Sequence, residues 1–489
     1  MVFNSLEFLL FFPVVLVIYY ILPSQRLRIW FLLFASCYFY MSFIPVYVVI
    51  LIISGFVDYT GSNLIEKFWD RPKLKRLCFL VPIVIDLLLL GYFKYAYFTA
   101  DIINFFGLKF GFDTIVLPKI ILPIGISFHT FQGIGYMIDV YRGKIKAEKN
   151  PVTYSLYLMF FPQLVAGPIE RPDNLLPQLK AWHDPKTEDF TEGIRLALRG
   201  FIKKLVVADL SARFVDGVYN NPHGANGPLV ALATVLFAFQ IYCDFSGYTD
   251  IATGCARMMG IKLIKNFDRP YTSKSIREFW SRWHISLSGW FRDYLYIPLG
   301  GNRVRLPRYL ANLMIVFLVS GIWHGADWTF VIWGVLHGLY QITGHLTRGM
   351  RDKIYARLKL DPAGKIAMAA KNACTFVLVC FAWIFFRANN VNDLGILLNR
   401  LFFGWGDLDI WASLSGIGYG AAQIATTVLS VYIISVLDVS PGLVSGGGGE
   451  GKFGFLYINR YVLCVWVIAF AWLVLLAGGG AGAFIYFQF

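Results

Sequence analysis

The chain has 489 residues, 57% of them hydrophobic and only 15% charged, a balance that excludes an ordinary soluble globular domain. Its formal net charge of +14 is gathered into short clusters between apolar runs, as expected of a membrane chain that uses Lys and Arg to fix its topology. No nucleic acid and no resident metal are expected, and the seven cysteines, without a CxxC or a zinc-type Cys/His spacing, read as small buried hydrophobes.

Several windows approach the roughly 20 apolar residues that cross about 30 Å of hydrocarbon: residues 6–22, 79–98, 229–241, 310–322, 376–386 and 461–476. With tilted and interrupted segments added, roughly ten to thirteen membrane helices are expected. The first window has no basic flank before it and no small-residue cleavage site after it, so it reads as a retained helix rather than a signal peptide. Basic clusters follow at Arg26 and Arg28, from Lys67 to Arg76, from Arg142 to Lys149, and from Arg348 to Lys359. The positive-inside rule places these in the cytoplasm and the N-terminus outside, with residues 101–119, 220–227 and 404–416 in loops of the opposite face. The same basic face suits an anionic cytoplasmic partner.

Asp58 and Asp86 are isolated carboxyls in apolar surroundings, expected to pair with neighbouring helices. The piece LPIGISFHTFQGIGYMIDVYRG (122–143) carries Pro123, Gly125, Gly133 and Gly135 around His129. This reads as irregular backbone, which membrane depth tolerates only beside protein or a cavity. FFPQLVAGPIERPDNLLPQL (160–179) holds four prolines and reads as a broken helix leaving the membrane. Residues 189–207 read as amphipathic, with Arg195, Arg199, Lys203 and Lys204 on the polar side. FQIYCDFSGYTDIATG (239–254) sets Asp244, Ser246, Tyr248 and Asp250 in an apolar helix, a polar network or a water path.

The densest chemistry lies between residues 271 and 338. SIREFWSRWHISLSGWFRDYLYIPLGGNR (275–303) mixes Trp, Arg, His and Ser. Glu278 and Arg282 are spaced to pair on one helix face, and Trp280, Trp283 and Trp290 suit a helix lying at the interface. His284, Leu287 and Ser288 share one side if that helix is regular. LMIVFLVSGIWHGADWTFVIWGVLHG (313–338) reads as an apolar run long enough to span, with His324 inside it. A titratable residue at that depth is a functional candidate by default. Imidazole titrates near neutrality, so a partly desolvated one can take the proton of a hydroxyl as its oxygen attacks an activated acyl group. GGGGEGK (446–452) has phosphate-loop spacing, but Phe453 follows the lysine, and the segment reads as a linker.

These pieces resemble the membrane-bound O-acyltransferase (MBOAT) superfamily, in particular its bacterial polysaccharide branch, typified by the membrane subunit of alginate O-acetylation. The resemblance rests on LPIGISFHTFQ (122–132), PQLVAGPIER (162–171), DFSGYTDIATG (244–254), EFWSRWHISLSGWFRDYLYIPLGGNR (278–303), GIWHGADWTFVIWGVLHG (321–338) and FAWIFFRA (381–388), in order. It covers residues 1–390 well and the last hundred more loosely.

The resemblance implies an all-α polytopic fold, a ring of tilted helices around a central tunnel with re-entrant and interfacial helices. One membrane domain over 1–489 is expected, with N-terminal helices in 1–120, a catalytic core in 121–390 and C-terminal helices in 391–489. It implies catalysis by His324, the family's near-universal histidine, with His284 at the second signature position. Trp283, Trp323, Ser288 and Asp244 are candidates to line the donor path, and Asp327 to orient His324. The implied donor is a cytoplasmic acyl thioester, acetyl-CoA or an acyl carrier, used as co-substrate with no permanently bound cofactor. The implied acceptor is a hydroxyl on an extracytoplasmic polysaccharide, or on a periplasmic acetyltransferase- or esterase-like partner that passes the acyl group onward. The expected location is the bacterial inner membrane, among its lipids. A membrane carrier or channel, or a scaffold for polysaccharide export, remains the alternative. Alginate, a cellulose-like polymer and peptidoglycan all remain open as acceptor, as does acyl length.

Overall fold

The computed structural model describes residues 1–359 and 361–406. Among them every regular element is helical, and the chain is a polytopic membrane protein. Five helical stretches are long and apolar enough to cross a bilayer: Tyr47–Lys67, Pro72–Lys109, Gly227–Met258, Leu306–His324 and Lys365–Arg387. These take up four of the six predicted windows, and residues 6–22 become α1 (Leu6–Ile21), capped by the Ser5 hydroxyl, which accepts the Phe8 N–H. The 461–476 window and the 446–452 linker lie outside the described residues.

The described residues form two compact units, one comprising Met1–Ala197 and Tyr248–Ile264, the other Leu198–Gly247 and the described residues from Lys265 onward. In the first, α2 (Gln25–Met41) and α3 (Tyr47–Lys67) are followed by α4 (Pro72–Leu90), which continues through a π turn into α5 (Ala96–Lys109). Then come α6 (Ile126–Tyr141), α7 (Pro151–Met159), the single turn α8 (Phe161–Leu164), α9 (Pro172–Lys180) and the start of α10 (Thr187–Ile202). Proline at the first turn of α4, α7 and α9 starts a helix where its missing N–H costs nothing. The prolines of 160–179 therefore do break the chain into short helices, as the sequence predicts.

The glycines of 122–143 act differently from the expectation. α6 runs unbroken through Gly133 and Gly135. Gly125, at φ 78°, and Gly143, at φ 72°, stand where a side chain is disfavoured, and a Cβ on Gly125 would strike the Leu164 carbonyl. Gly133 instead gives space to a neighbour, because a Cβ on it would overlap the Asp58 carboxylate. Gly61 does the same for Pro82, allowing α3 and α4 to pack closely.

The first unit is held by aromatic packing around Phe3, Phe8, Phe39, Phe161 and Tyr248. At its polar end the buried Arg28 guanidinium lies 3.5 Å from the Trp182 ring centroid and donates to the His183 carbonyl. The buried Glu170 carboxylate accepts the Ile264 N–H at 2.6 Å and the Asn174 amide at 2.7 Å. That one carboxylate ties the PIER turn to residues 262–264.

In the second unit, the end of α10 passes through a π turn into α11 (Asp209–Tyr219), and α12 (Gly227–Met258) supplies its residues up to Gly247. Lys203 and Lys204 are buried, not on a polar face as the amphipathic pattern suggests. The Lys204 ammonium pairs with Asp244 at 2.6 Å and Asp209 at 2.9 Å, and those carboxylates compensate its removal from water. The rest of the unit comprises α13 (Ile276–Arg282), α14 (Ile285–Phe291), α15 (Leu306–His324), α16 (Trp328–Leu346), α17 (Arg348–Arg357), α18 (Lys365–Arg387) and α19 (Val391–Phe403).

Candidate active site

His324 is the last residue of α15, so residues 313–338 are not one span. The chain extends through Gly325, and the Asp327 carboxylate caps α16 by accepting the Thr329 N–H at 2.8 Å. The two helices pack as a tight hairpin. A Cβ on Gly321 would overlap the Phe330 carbonyl, and one on Gly334 would overlap the Phe317 carbonyl. This glycine contact brings the backbones together and places the buried His324 imidazole at the bend. Hydropathy alone reads the run as continuous because the break contains only three residues, Gly325 to Asp327.

His284 also sits at a break. The Ser275–Arg303 piece is not a regular helix: α13 ends at Arg282, and His284 takes the left-handed conformation at φ 45°, ψ 54° before α14 begins. A non-glycine residue is rare there and needs its surroundings to hold it. Asn266 does so. Its backbone carbonyl accepts the Ile285 N–H at 2.9 Å, and its side-chain oxygen accepts the Ser286 N–H at 3.2 Å and the Ser286 hydroxyl at 2.8 Å. That oxygen also meets His284 Nδ1 at 3.2 Å. A backbone N–H can only donate, so the Asn266 atom is the acceptor and Nδ1 carries the proton of the neutral ring. Nε2 then holds the lone pair a base needs.

Trp323 joins the two histidines. Its ring centroid lies 6.3 Å from His284 and 4.9 Å from His324. Trp333 at 5.0 Å and Phe386 at 5.4 Å complete the surroundings of His324, and Phe245 stands edge-on to His284 at 4.7 Å. Trp283 packs against Phe267, Phe279 and Trp383, with centroids 5.1, 5.5 and 5.1 Å away. Trp280, Trp283 and Trp290 are buried walls of the unit rather than an exposed interfacial girdle.

The remaining candidates fall into different places. Ser288 is half-buried and donates to the Trp283 carbonyl at 3.3 Å. Asp244 is buried in the ion pair with Lys204. Glu278 and Arg282 pair at 2.6 Å, as their spacing predicts. Two residues that sequence reading passed over belong to the site. Asn266 shapes the His284 turn. The buried His337 accepts the Trp280 indole N–H at 3.2 Å and packs 4.9 Å from Trp333, the ring that walls His324. His337 lies inside GVLHG and was open to notice, whereas nothing in the sequence around Asn266 marks it.

The arrangement presents two imidazoles on one indole, inside an aromatic enclosure that excludes water and strengthens any charge interaction within it. The sequence matches the description "MBOAT, membrane-bound O-acyltransferase family" over residues 144–392, a range holding both histidines and their walls. The chain belongs to the membrane-bound O-acyltransferase family. It is 39% identical to the protein of Pseudomonas aeruginosa named "Probable alginate O-acetylase AlgI", over 88% of this chain and 81% of that one. It is 35% identical to the peptidoglycan O-acetyltransferase of Helicobacter pylori over 80% of this chain and 78% of the relative. The teichoic acid D-alanyltransferase of Bacillus subtilis is 29% identical over 54% of this chain and 68% of its own length. As a member of this family the chain is a multi-pass membrane O-acyltransferase, and the histidine cluster is its candidate active site.

Proposed function

We propose that the protein moves an acetyl group from a cytoplasmic thioester, acetyl-CoA, to a hydroxyl on an extracytoplasmic polysaccharide, directly or through a periplasmic partner that relays it. The observation that carries this reading is the pair of buried imidazoles on Trp323. In the proposed step His324 takes the hydroxyl proton as the oxygen attacks the thioester carbonyl. The C–S bond then breaks and the thiolate leaves with the proton, so that an ester and a thiol are formed. His284, with its proton fixed on Nδ1 by Asn266, assists from the donor side. Trp283, Trp323, Ser288 and Asp244 are proposed to line or shape the donor path. The names of the O-acetylating relatives support acetyl as the group and a cell-surface polymer as the acceptor. The basic clusters support an N-terminus outside by the positive-inside rule, and the bacterial relatives support the inner membrane as the location.

The test is incubation of the purified full-length protein with acetyl-labelled acetyl-CoA and candidate carbohydrate acceptors, alone and with periplasmic extract. Label appearing in O-linked ester with release of free thiol supports the proposal. Solute counterflow without thioester loss would make the chain a carrier. Mass spectrometry of surface polymers from cells lacking the protein should show loss of acetyl esters, and unchanged ester content would contradict the polysaccharide assignment.

A further inference from the structure

The first unit contains a second polar cluster, remote in sequence from the histidines discussed above. Ser54, Asp58 and Ser62 repeat every four residues on α3, and all three are buried. Asp86 on α4 faces them, with its Oδ1 accepting the Ser54 hydroxyl at 2.7 Å. The Asp58 and Asp86 side chains interact with one another, and both Asp58 oxygens and the second Asp86 oxygen are buried without a hydrogen-bond partner. The two residues are 0% and 1% exposed. A proton shared between the two carboxyls would give these oxygens a donor, because two ionised carboxylates offer acceptors only. Gly133 on α6 leaves the space in which the Asp58 carboxylate sits.

One turn before Gly133 on α6, His129 is 2% exposed. Neither ring nitrogen has a partner at hydrogen-bond geometry, the Leu51 carbonyl making only a looser contact. With Ser54, Thr130 and Leu51, His129 lines a small cavity with space for about one water molecule.

The neighbouring charges are few. Neither aspartate has an ion pair among the described residues. Tyr154 of α7 faces both carboxyls, and its hydroxyl has no partner. Tyr136 of α6 is engaged with the Glu148 N–H. On α2, Tyr40 donates to the Ile124 carbonyl and Arg28 to the His183 carbonyl. Among the described residues no ion pair therefore offsets a second negative charge at these carboxyls, and a carboxyl pair at membrane depth is stable when it shares a proton.

We propose that Asp58, Asp86 and His129 form a proton-binding site inside the first unit. One proton is held between the two carboxyls and exchanges through the His129 imidazole and the cavity beside Ser54. In the exchange an O–H bond of the acid pair breaks as an N–H bond forms on His129. The imidazolium then releases a proton to water entering the cavity. The ligand proposed is a proton, which two facing carboxyls can hold between them without a further ligand.

Infrared difference spectroscopy on the full-length protein in lipid nanodiscs tests this directly. The wild type should show a protonated-carboxyl C=O band at neutral pH that shifts in deuterated buffer and titrates away at alkaline pH. The band should be absent from the Asp58→Asn/Asp86→Asn double variant. His129→Leu should retain it while slowing deuterium exchange at least tenfold. Asp86→Asn alone preserves an amide in the hydrogen bond and should move the band, which covers the case of a double variant that does not fold. A wild type without the band, or one whose band neither exchanges nor titrates, overturns the proposal. Loss of the band on adding sodium at constant pH would identify a metal cation instead and also overturn it.

Discussion

The two buried polar clusters solve the same problem by different chemistry. In the first unit, carboxyls on α3 and α4 face each other among small residues, and glycine on α6 supplies their space. In the second, imidazoles stand at helix breaks and are walled by Trp and Phe. A carboxyl pair at depth keeps its proton between two oxygens and holds it in place. A neutral imidazole oriented at Nδ1 presents a lone pair at Nε2 and is ready to act on a third molecule. The contrast teaches that burial alone does not mark a catalytic group. A break in the backbone that directs the ring, with aromatic walls around it, distinguishes the proposed reactive cluster from the proposed proton site.

The largest loss is expected at the α15–α16 hairpin. Gly334→Leu forces α15 and α16 apart and should cost about 3 kcal/mol or more, the upper end for overpacking. It should remove transfer activity together with the cooperative melt in detergent. The matching change in the other cluster, Gly133→Leu, should displace Asp58 and lower the melting temperature without altering the geometry at His324.

A smaller effect should follow from Asn266→Ala. It leaves the Ser286 hydroxyl and the His284 Nδ1–H without their acceptor, at about 1–3 kcal/mol in stability. It should lower kcat by roughly tenfold or more, with little change in KM, because the assisting His284 imidazole is misoriented while donor binding persists. An unchanged kcat would show that the His284 turn does not serve the reaction.

The smallest effect concerns Glu170. Burial pushes its carboxyl up to about 7, against the lowering effect of the hydrogen bonds from Asn174 and Ile264. An unfolded glutamate titrates near 4.3. The folded state therefore holds the proton more tightly, and this contribution is complete below the unfolded value and is lost as pH rises through about 7. Glu170→Gln should flatten the fall in melting temperature between roughly pH 4 and 7. A wild type with no such fall contradicts the assignment.

Much of this was legible in the sequence. Apolar windows placed helices, the proline spacing of 160–179 foretold short ones, and the Glu278–Arg282 pair follows from helix geometry. His284 and His324 stand out because titratable groups are scarce in apolar surroundings. What stayed hidden depends on contacts distant along the chain. Gly133 looks like a helix breaker until Asp58 is seen against it, and Lys204 looks solvated until Asp244 and Asp209 close on it. Asn266 is unremarkable until the His284 backbone needs an acceptor. Periodicity also cannot show that three residues after Ile322 the helix has ended, which turns an expected span into a hairpin with its histidine at the bend.

The central claim is that the His324 imidazole performs the proton transfer. The direct measurement is the single-turnover rate of acyl transfer from a thioester by His324→Ala, beside a wild type with the same detergent melt. The rate should fall by about two to four orders of magnitude, the range for loss of a general base. A folded variant that transfers the acyl group at the wild-type rate would contradict it.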